Sequence, residues 1–110
     1  MKKPHPHIDR IFKAIADPTR RSIFHALVIA GSAMPINEVA ERFEMSRQGV
    51  TKHIKILEAA KLIQIHQRGR ERFCMASAQP LKSISQWLQF YEQFWDQSLD
   101  RLGQHLDGVD

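Results

Sequence analysis

The fold is decided by residues 36–57, which read INEVAERFEMSRQGVTKHIKIL. In residues 36–43 apolar side chains recur at three- and four-residue spacing, which predicts a short helix of about two turns. After only Glu44 and Met45, Ser46 can cap another helix that runs to about Ala60. Two short helices joined by a tight turn, the second one capped by serine, predict a helix-turn-helix.

The second of these helices has two different faces at 100° per residue. Its apolar stripe consists of Val50, Ile54 and Leu57. The long polar side chains opposite and beside the stripe suit base edges, since arginine can bond guanine, glutamine adenine, and threonine the thymine methyl group. We expect DNA contacts from Ser46, Arg47, Gln48, Thr51, Lys52, His53 and Lys55, with Lys55 on phosphate. The charges alone would also fit a solvated helix face.

Two more helices are predicted upstream of this pair. A short first helix is indicated by the stripe Ile8, Ile11, Phe12 and Ile15. Asp17 and Pro18 then form the N-cap and first position of a second helix, which Gly31 ends.

Downstream, residues 62–66 and 72–75 predict the two strands of a β-hairpin, with residues 67–71 as its turn. Arg68, Arg70 and Arg72 alternate along this segment, so in an extended strand they would point the same way. We expect all three to bind a phosphate backbone or a narrow minor groove. The alternative for Arg72 is an ion pair with Glu71 or a C-terminal acid.

The segment from Pro80 to residue 106 has apolar residues at helical spacing, and Trp87, Phe90 and Phe94 widen its apolar surface. It can fold back on its own core or pack against a second copy. Dimerisation is favoured, because the aromatic surface exceeds what the core of a 110-residue chain needs to cover. We expect the interface at Ile8, Ile11, Phe12, Leu88, Tyr91, Trp95, Leu99 and Leu102. A symmetric dimer would present two helices to successive major grooves, which predicts an inverted-repeat operator.

Length and composition predict one domain over residues 1–110, with the core and hairpin in 8–79 and a dimerisation helix in 80–106. No apolar run approaches a membrane span, and the N-terminus lacks the apolar segment of a signal peptide, so we expect a cytoplasmic protein without membrane contact. Residues 46–72 carry seven Lys or Arg against two acids, although the whole chain has a net charge of only +4. This basic middle segment indicates a polyanionic partner.

Metal binding, redox chemistry and catalysis have little support. Six histidines are scattered, without a helical pair at metal-ligand spacing; the best remaining candidate is His105 with Asp100 or with acids of a second subunit. The single cysteine, Cys74, is interpreted as a buried inert thiol in preference to a redox sensor. The chain has no Gly-x-Ser-x-Gly motif and no glycine-rich phosphate loop. We predict neither a cofactor nor an enzyme.

Four strings together resemble the ArsR/SmtB family of repressors: ADPTRR at 16–21, VAERF at 39–43, MSRQGVTKHI at 45–54 and LEAAKLI at 57–63. The resemblance spans about residues 8–106. It implies a mainly α fold with a small β-hairpin, a winged helix-turn-helix, dimerised through its terminal helices and released from DNA by an effector. Metal-sensing members carry cysteines in the helix matched here by 37–43, or a His/Asp-rich last helix. This chain has neither, and resembles the branch with a tryptophan-bearing last helix.

The sequence therefore predicts a homodimeric regulator of transcription that binds double-stranded DNA and represses its own or an adjacent operon. A small molecule or a protein would be its effector. Two other hypotheses stay open. One is a protein-interaction module or antirepressor whose aromatic helix captures another protein, and the other is a metal-responsive repressor with an unrecognised site.

Overall fold

The computed structural model describes the backbone of residues 6–107 and, within that range, all side chains except those of residues 6, 96, 98, 100 and 104–107. The elements in this range are α1 (Pro6–Ala16), α2 (Pro18–Ala30), β1 (Met34–Pro35), α3 (Ile36–Arg42), α4 (Arg47–Ala59), β2 (Ile63–Arg68), β3 (Glu71–Ala76) and α5 (Leu81–Asp107). The prediction of a mainly helical chain with a small β-hairpin is confirmed. None of these helices has both the length and the apolar character needed to cross a bilayer.

The predicted limits of α2 are confirmed at both ends. The Asp17 carboxylate accepts a hydrogen bond from the backbone N–H of Arg20 at 2.9 Å, and this bond lowers the pKa of Asp17. Gly31 ends the helix in the left-handed region, with φ of 65°, and its N–H donates to the Leu27 carbonyl at 3.2 Å. Because glycine has no Cβ, it adopts this conformation without steric cost.

Two arginines at the start of α2 close the end of α1. The last four carbonyls of a helix lack partners within it. Arg20 donates to the carbonyls of residues 13 and 14 at 2.9 and 2.8 Å, and Arg21 donates to those of residues 15 and 16 at 2.6 and 3.2 Å. All four terminal carbonyls of α1 are thus satisfied by α2, which fixes the corner between the two helices.

The three strands form an antiparallel sheet in the order β1-β3-β2. Strand β1 was not expected from the sequence, because it has only two residues and one of them is Pro35. Proline can occupy an edge strand, where its missing N–H breaks no ladder. The hairpin turn is tighter than the five residues expected: β2 and β3 extend to Arg68 and Glu71, and Gly69, with φ of 61°, helps to turn the chain.

The expectation that the three hairpin arginines point the same way is wrong. Arg68 pairs with Glu71, and Gln67 pairs with Arg72. Directly paired residues share a face of the sheet, whereas consecutive residues of a strand point to opposite faces. Arg68 and Arg72 therefore lie on opposite faces, because the chain reverses between them at Gly69 and Arg70.

The core lies between the first four helices and the sheet. It contains Cys74, and burial, reinforced by the charge of Glu58, raises the pKa of that thiol to about 11. It also contains Ile11, which is only 2% exposed. The expectation that Ile11 lies at a dimer interface is corrected here, because α1 turns this side chain into the core of its own protomer, where a second chain cannot reach it.

Helix α5 extends away from this core. Leu81 and Ile84 in its first turns pack against the core, and Trp87 stacks edge-on against Phe12 of α1, with the ring centroids 5.3 Å apart. Farther along, large apolar side chains are exposed, up to 66% for Leu99. The protein measures 69 × 35 × 22 Å, which reflects this projecting helix.

Candidate nucleic-acid interface

The N-terminus of α4 is held by local hydrogen bonds. Ser46 Oγ accepts from the Gly49 N–H at 3.0 Å, as the sequence predicts, and Thr51 Oγ1 donates to the Arg47 carbonyl at 2.6 Å. A Cβ at position 49 would lie 3.1 Å from Ser46 Oγ and 3.4 Å from Met45 Cε. A glycine inside a helix can allow the close approach of DNA or of another helix. Within the protein, however, the missing side chain gives room to the serine cap.

The predicted division of α4 into two faces is confirmed. Val50, Ile54 and Leu57 are fully buried. The side chains opposite and beside this stripe are open to solvent and form what we call the reading face: Arg47, Gln48, Lys52 and Lys55. Because α1, α2, α3 and β2 all pack against α4, this helix is firmly seated while its reading face stays free.

His53 lies at the junction between α4 and α2. Its Nδ1 is 3.5 Å from Arg20 Nη1 and 4.0 Å from Asp17 Oδ2, and 23% of its side chain is exposed. Arg20 thus contacts α1 and α4 at once. No pattern in the sequence predicts this junction, because helical periodicity relates only residues of the same helix.

The hairpin brings two of its arginines to the start of α4. Arg47, Arg70 and Arg72 line one small cleft together with Asn37 from α3. No ion pair joins Arg72 to Glu71, although Glu71 also lines the cleft.

The remaining hairpin arginine lies apart from this cluster. Arg68 lines a separate cleft with His66, Phe73 and Met75. Of the three expected phosphate contacts, two therefore adjoin the reading face. Asn37, which sequence reasoning missed, becomes a further candidate. Asn37 lies in the cleft with Arg47 only because the hairpin returns toward α3.

Comparison with known proteins identifies the family. Residues 15–66 match a helix-turn-helix domain model. The chain is 32% identical to the Transcriptional repressor SdpR of Bacillus subtilis (strain 168), over 74% of this chain and 88% of that protein. A crystal structure of an ArsR family transcriptional regulator, RHA00566, is 31% identical, with a TM-score of 0.76 over 87% of this chain and 97% of that one. The chain belongs to the ArsR family.

As an ArsR-family member, the protein is a DNA-binding transcriptional regulator, and its β2-β3 hairpin is the wing of a winged helix-turn-helix. The same fold occurs in a homodimeric winged helix-turn-helix DNA-binding domain from Mycobacterium bovis. That domain is 15% identical, with a TM-score of 0.62 over 84% of this chain and 91% of that one.

The family resemblance raised the question of a metal site. Among the side chains that the structure describes, no group of three His, Cys, Asp or Glu residues could hold a metal ion. The candidate pair from the sequence, His105 and Asp100, lies outside the described side chains.

Proposed function

We propose that this ArsR-family regulator binds an inverted-repeat operator as a homodimer, with α4 in the major groove and the wing on the adjacent backbone. The observation that carries the proposal is the convergence of Arg47, Arg70 and Arg72 on one cleft. Arginine suits both phosphate and guanine because its planar fork offers paired donors.

Each expected residue has a proposed role. On the reading face, Arg47, Gln48 and Lys52 contact base edges, and Lys55 contacts phosphate. Thr51 offers its methyl group to a thymine, because its hydroxyl hydrogen is donated within the helix. The remaining contacts are to the phosphate backbone or, for the wing, a narrow minor groove, and come from Ser46, His53, Arg68, Arg70 and Arg72.

The exposed face of α5 supports the dimer. Leu88, Tyr91, Trp95, Leu99 and Leu102 lie along one stripe and are 38–66% exposed. Exposed apolar surface of this extent marks an interaction site. We propose that Ile8 and Phe12 of α1 complete this interface.

Two copies joined in this way would place their reading faces about 34–36 Å apart, the spacing of successive major grooves. The homodimeric state of the relative from Mycobacterium bovis supports a dimer. The name of the Bacillus subtilis relative, a transcriptional repressor, supports repression. We propose that the target is the protein's own or an adjacent operon. We place the protein in the cytoplasm, where it would reach the chromosome.

The test is capture of genomic DNA fragments by the purified protein at about 0.15 M salt, a physiological ionic strength. We expect one or a few inverted repeats, and loss of that enrichment with Arg47→Ala. Arg70→Ala should weaken binding to all sequences alike and reduce the salt dependence. Equal capture by the wild type and both variants would reject the proposal.

The exposed aromatic face also fits the second candidate, capture of a different protein. Oligomeric state decides between the two. A dimer that covers Trp95 and Leu99 leaves no free face for another protein. A monomer that still exposes both residues would favour an interaction module.

A further inference from the structure

A cleft of about 600 Å³ lies between α1, the end of α4 and the first turn of α5. Small-molecule sites in proteins have volumes of about 300–1,000 Å³. The walls of this remote cleft include Lys61 just after α4, and Gln64 and Ser77 at the base of the wing. The remote cleft thus lies at the C-terminal end of α4, whereas Arg47 is at the N-terminal end. It also lies at the base of the wing, whereas Gly69 is at the tip. DNA on the reading face would leave this cleft open.

Three cations from three separate parts of the chain line the remote cleft: Arg10 of α1, Lys61, and Lys82 of α5. No Asp or Glu lies among its described lining residues, and none of the three cations has an ion pair within the described part of the chain. Converging positive charges without a carboxylate attract anions. The walls also include Ala59 and Pro80, so the cleft offers apolar surface beside the charges.

The backbone at Lys61 is a second indication. Its φ is 61°, in the left-handed region that favours glycine. The residue closes α4 through two hydrogen bonds: its own N–H to the Glu58 carbonyl at 2.8 Å and that of Leu62 to the Leu57 carbonyl at 3.0 Å. Glycine is usual at this position of such a helix end. A lysine at a strained position on the wall of a cationic cleft fits a binding role, because strained residues gather at binding sites.

We propose that the remote cleft binds a small organic anion, one with a carboxylate or phosphoryl group on a compact apolar body. Arg10, Lys61 and Lys82 hold the charged group, and charge-assisted hydrogen bonds of this kind are among the strongest in proteins. Ser83 and Gln86 of α5 add polar donors at the rim, and the apolar body packs against the walls.

The position of the cleft gives the anion a regulatory role, and this part of the proposal rests on the proposed function. The cleft touches α1 and α5, the helices of the proposed dimer, and also the end of the helix that carries the reading face. Gln86 is about 200° around α5 from Leu88, so a dimer through the exposed stripe leaves the cleft accessible. An anion bound here would favour one orientation of the reading face relative to the dimer that α1 and α5 form.

Binding is tested without DNA. Benzoate and phenyl phosphate are titrated against the protein by calorimetry and by thermal melting, with neutral benzamide as the matched probe. We expect the two anions to bind and to raise the melting temperature while benzamide does not, and the stronger of the two identifies the charged group. Lys82→Gln should weaken anion binding about tenfold.

Lys61→Gly gives the sharpest result. The variant should melt a few degrees higher, because glycine relieves the left-handed strain, and yet bind the anion about tenfold more weakly. Glu44→Gly is the matched control: Glu44 closes α3 with φ of 50°, so this change also relieves strain but should leave anion binding unchanged. Wild-type anion affinity in Lys61→Gly, or anions that bind no better than benzamide, would overturn the site.

The regulatory role is tested with operator DNA. Saturating anion should change operator affinity at least about fivefold in the wild type, and Lys61→Gly should need about tenfold more anion for the same change. Unchanged operator affinity with the cleft filled would overturn this role. Loss of basal DNA affinity in Lys61→Gly, as large as that in Arg70→Ala, would assign these cations to DNA phosphate instead. If the protein binds no DNA but retains Lys61-dependent anion binding, the proposed function fails and the site stands.

Discussion

Helices α4 and α5 are both amphipathic, but only α4 buries its apolar stripe within one protomer. Val50, Ile54 and Leu57 of α4 are fully buried, whereas Leu99 of α5 is 66% exposed and Trp95 is 59% exposed. The polar face of α4 stays open, and so does the apolar face of α5. The difference supports the proposal that folding completes α4, which then needs only DNA, whereas α5 requires a second copy of the chain.

Leu99→Glu is the substitution with the largest expected effect, because it places a charge on the exposed stripe. We expect the dimer to dissociate in sedimentation experiments. Operator affinity should fall about 100-fold or more, because two linked half-sites bind far more tightly than one. Gln93→Glu adds the same carboxylate on the other side of α5 and should change neither property. A Leu99→Glu protein that stays dimeric would refute the proposed interface.

Ile54→Ala tests the buried stripe of α4, which the comparison sets against the exposed stripe of α5. We expect the free energy of unfolding to fall by about 2–5 kcal/mol, since a cavity is left in a closed core. The loss should be the same at every protein concentration. Leu99→Ala, the matched truncation on α5, should lower the apparent stability only at concentrations where the protein dimerises. Urea denaturation at two protein concentrations, 100-fold apart, distinguishes the two behaviours.

Local chemistry made most of the fold predictable. The limits of α2 and α4 follow from Asp17, Gly31 and Ser46, whose capping roles depend only on neighbouring residues. The two faces of α4 follow from helical periodicity alone. Features that depend on chain reversal were missed or wrong. The opposed directions of Arg68 and Arg72 are an example, because a five-residue turn was expected where the chain turns in two.

The site was less predictable than the fold. Arg47 was expected to contact DNA from its place on α4, but its proximity to Arg70 and Asn37 depends on how the wing folds back. Likewise, the link between Arg20 and His53 joins residues 33 positions apart, and no local pattern signals it. Burial of Ile11 could not be distinguished from an interface position, because either one places an apolar residue on the same helical stripe.

Arg47→Ala and Lys55→Ala should separate two functions within the reading face. Arg47→Ala is expected to cost about 1–3 kcal/mol of operator affinity and to relax the preference at one base position. Lys55→Ala should weaken binding to all sequences alike. It should also lower the slope of log affinity against log salt concentration by about one. Binding to an operator and to its single-base variants, at several salt concentrations, measures both. An unchanged base preference in Arg47→Ala would show that Arg47 contacts the DNA backbone and not a base.

The smallest expected effects concern the cap of α4, and they test whether Gly49 serves Ser46. Ser46→Ala should lower the free energy of unfolding by about 1 kcal/mol, because the Gly49 N–H loses its acceptor. Gly49→Ala alone should have little effect, because a gain in helix propensity of up to about 1 kcal/mol is offset by a Cβ only 3.1 Å from Ser46 Oγ. In the double variant that oxygen is absent, so the propensity gain should be recovered and stability should return close to the wild-type value. Additive effects in this double-mutant cycle would show that the two positions are independent, and the glycine would then need another explanation, such as close approach to DNA.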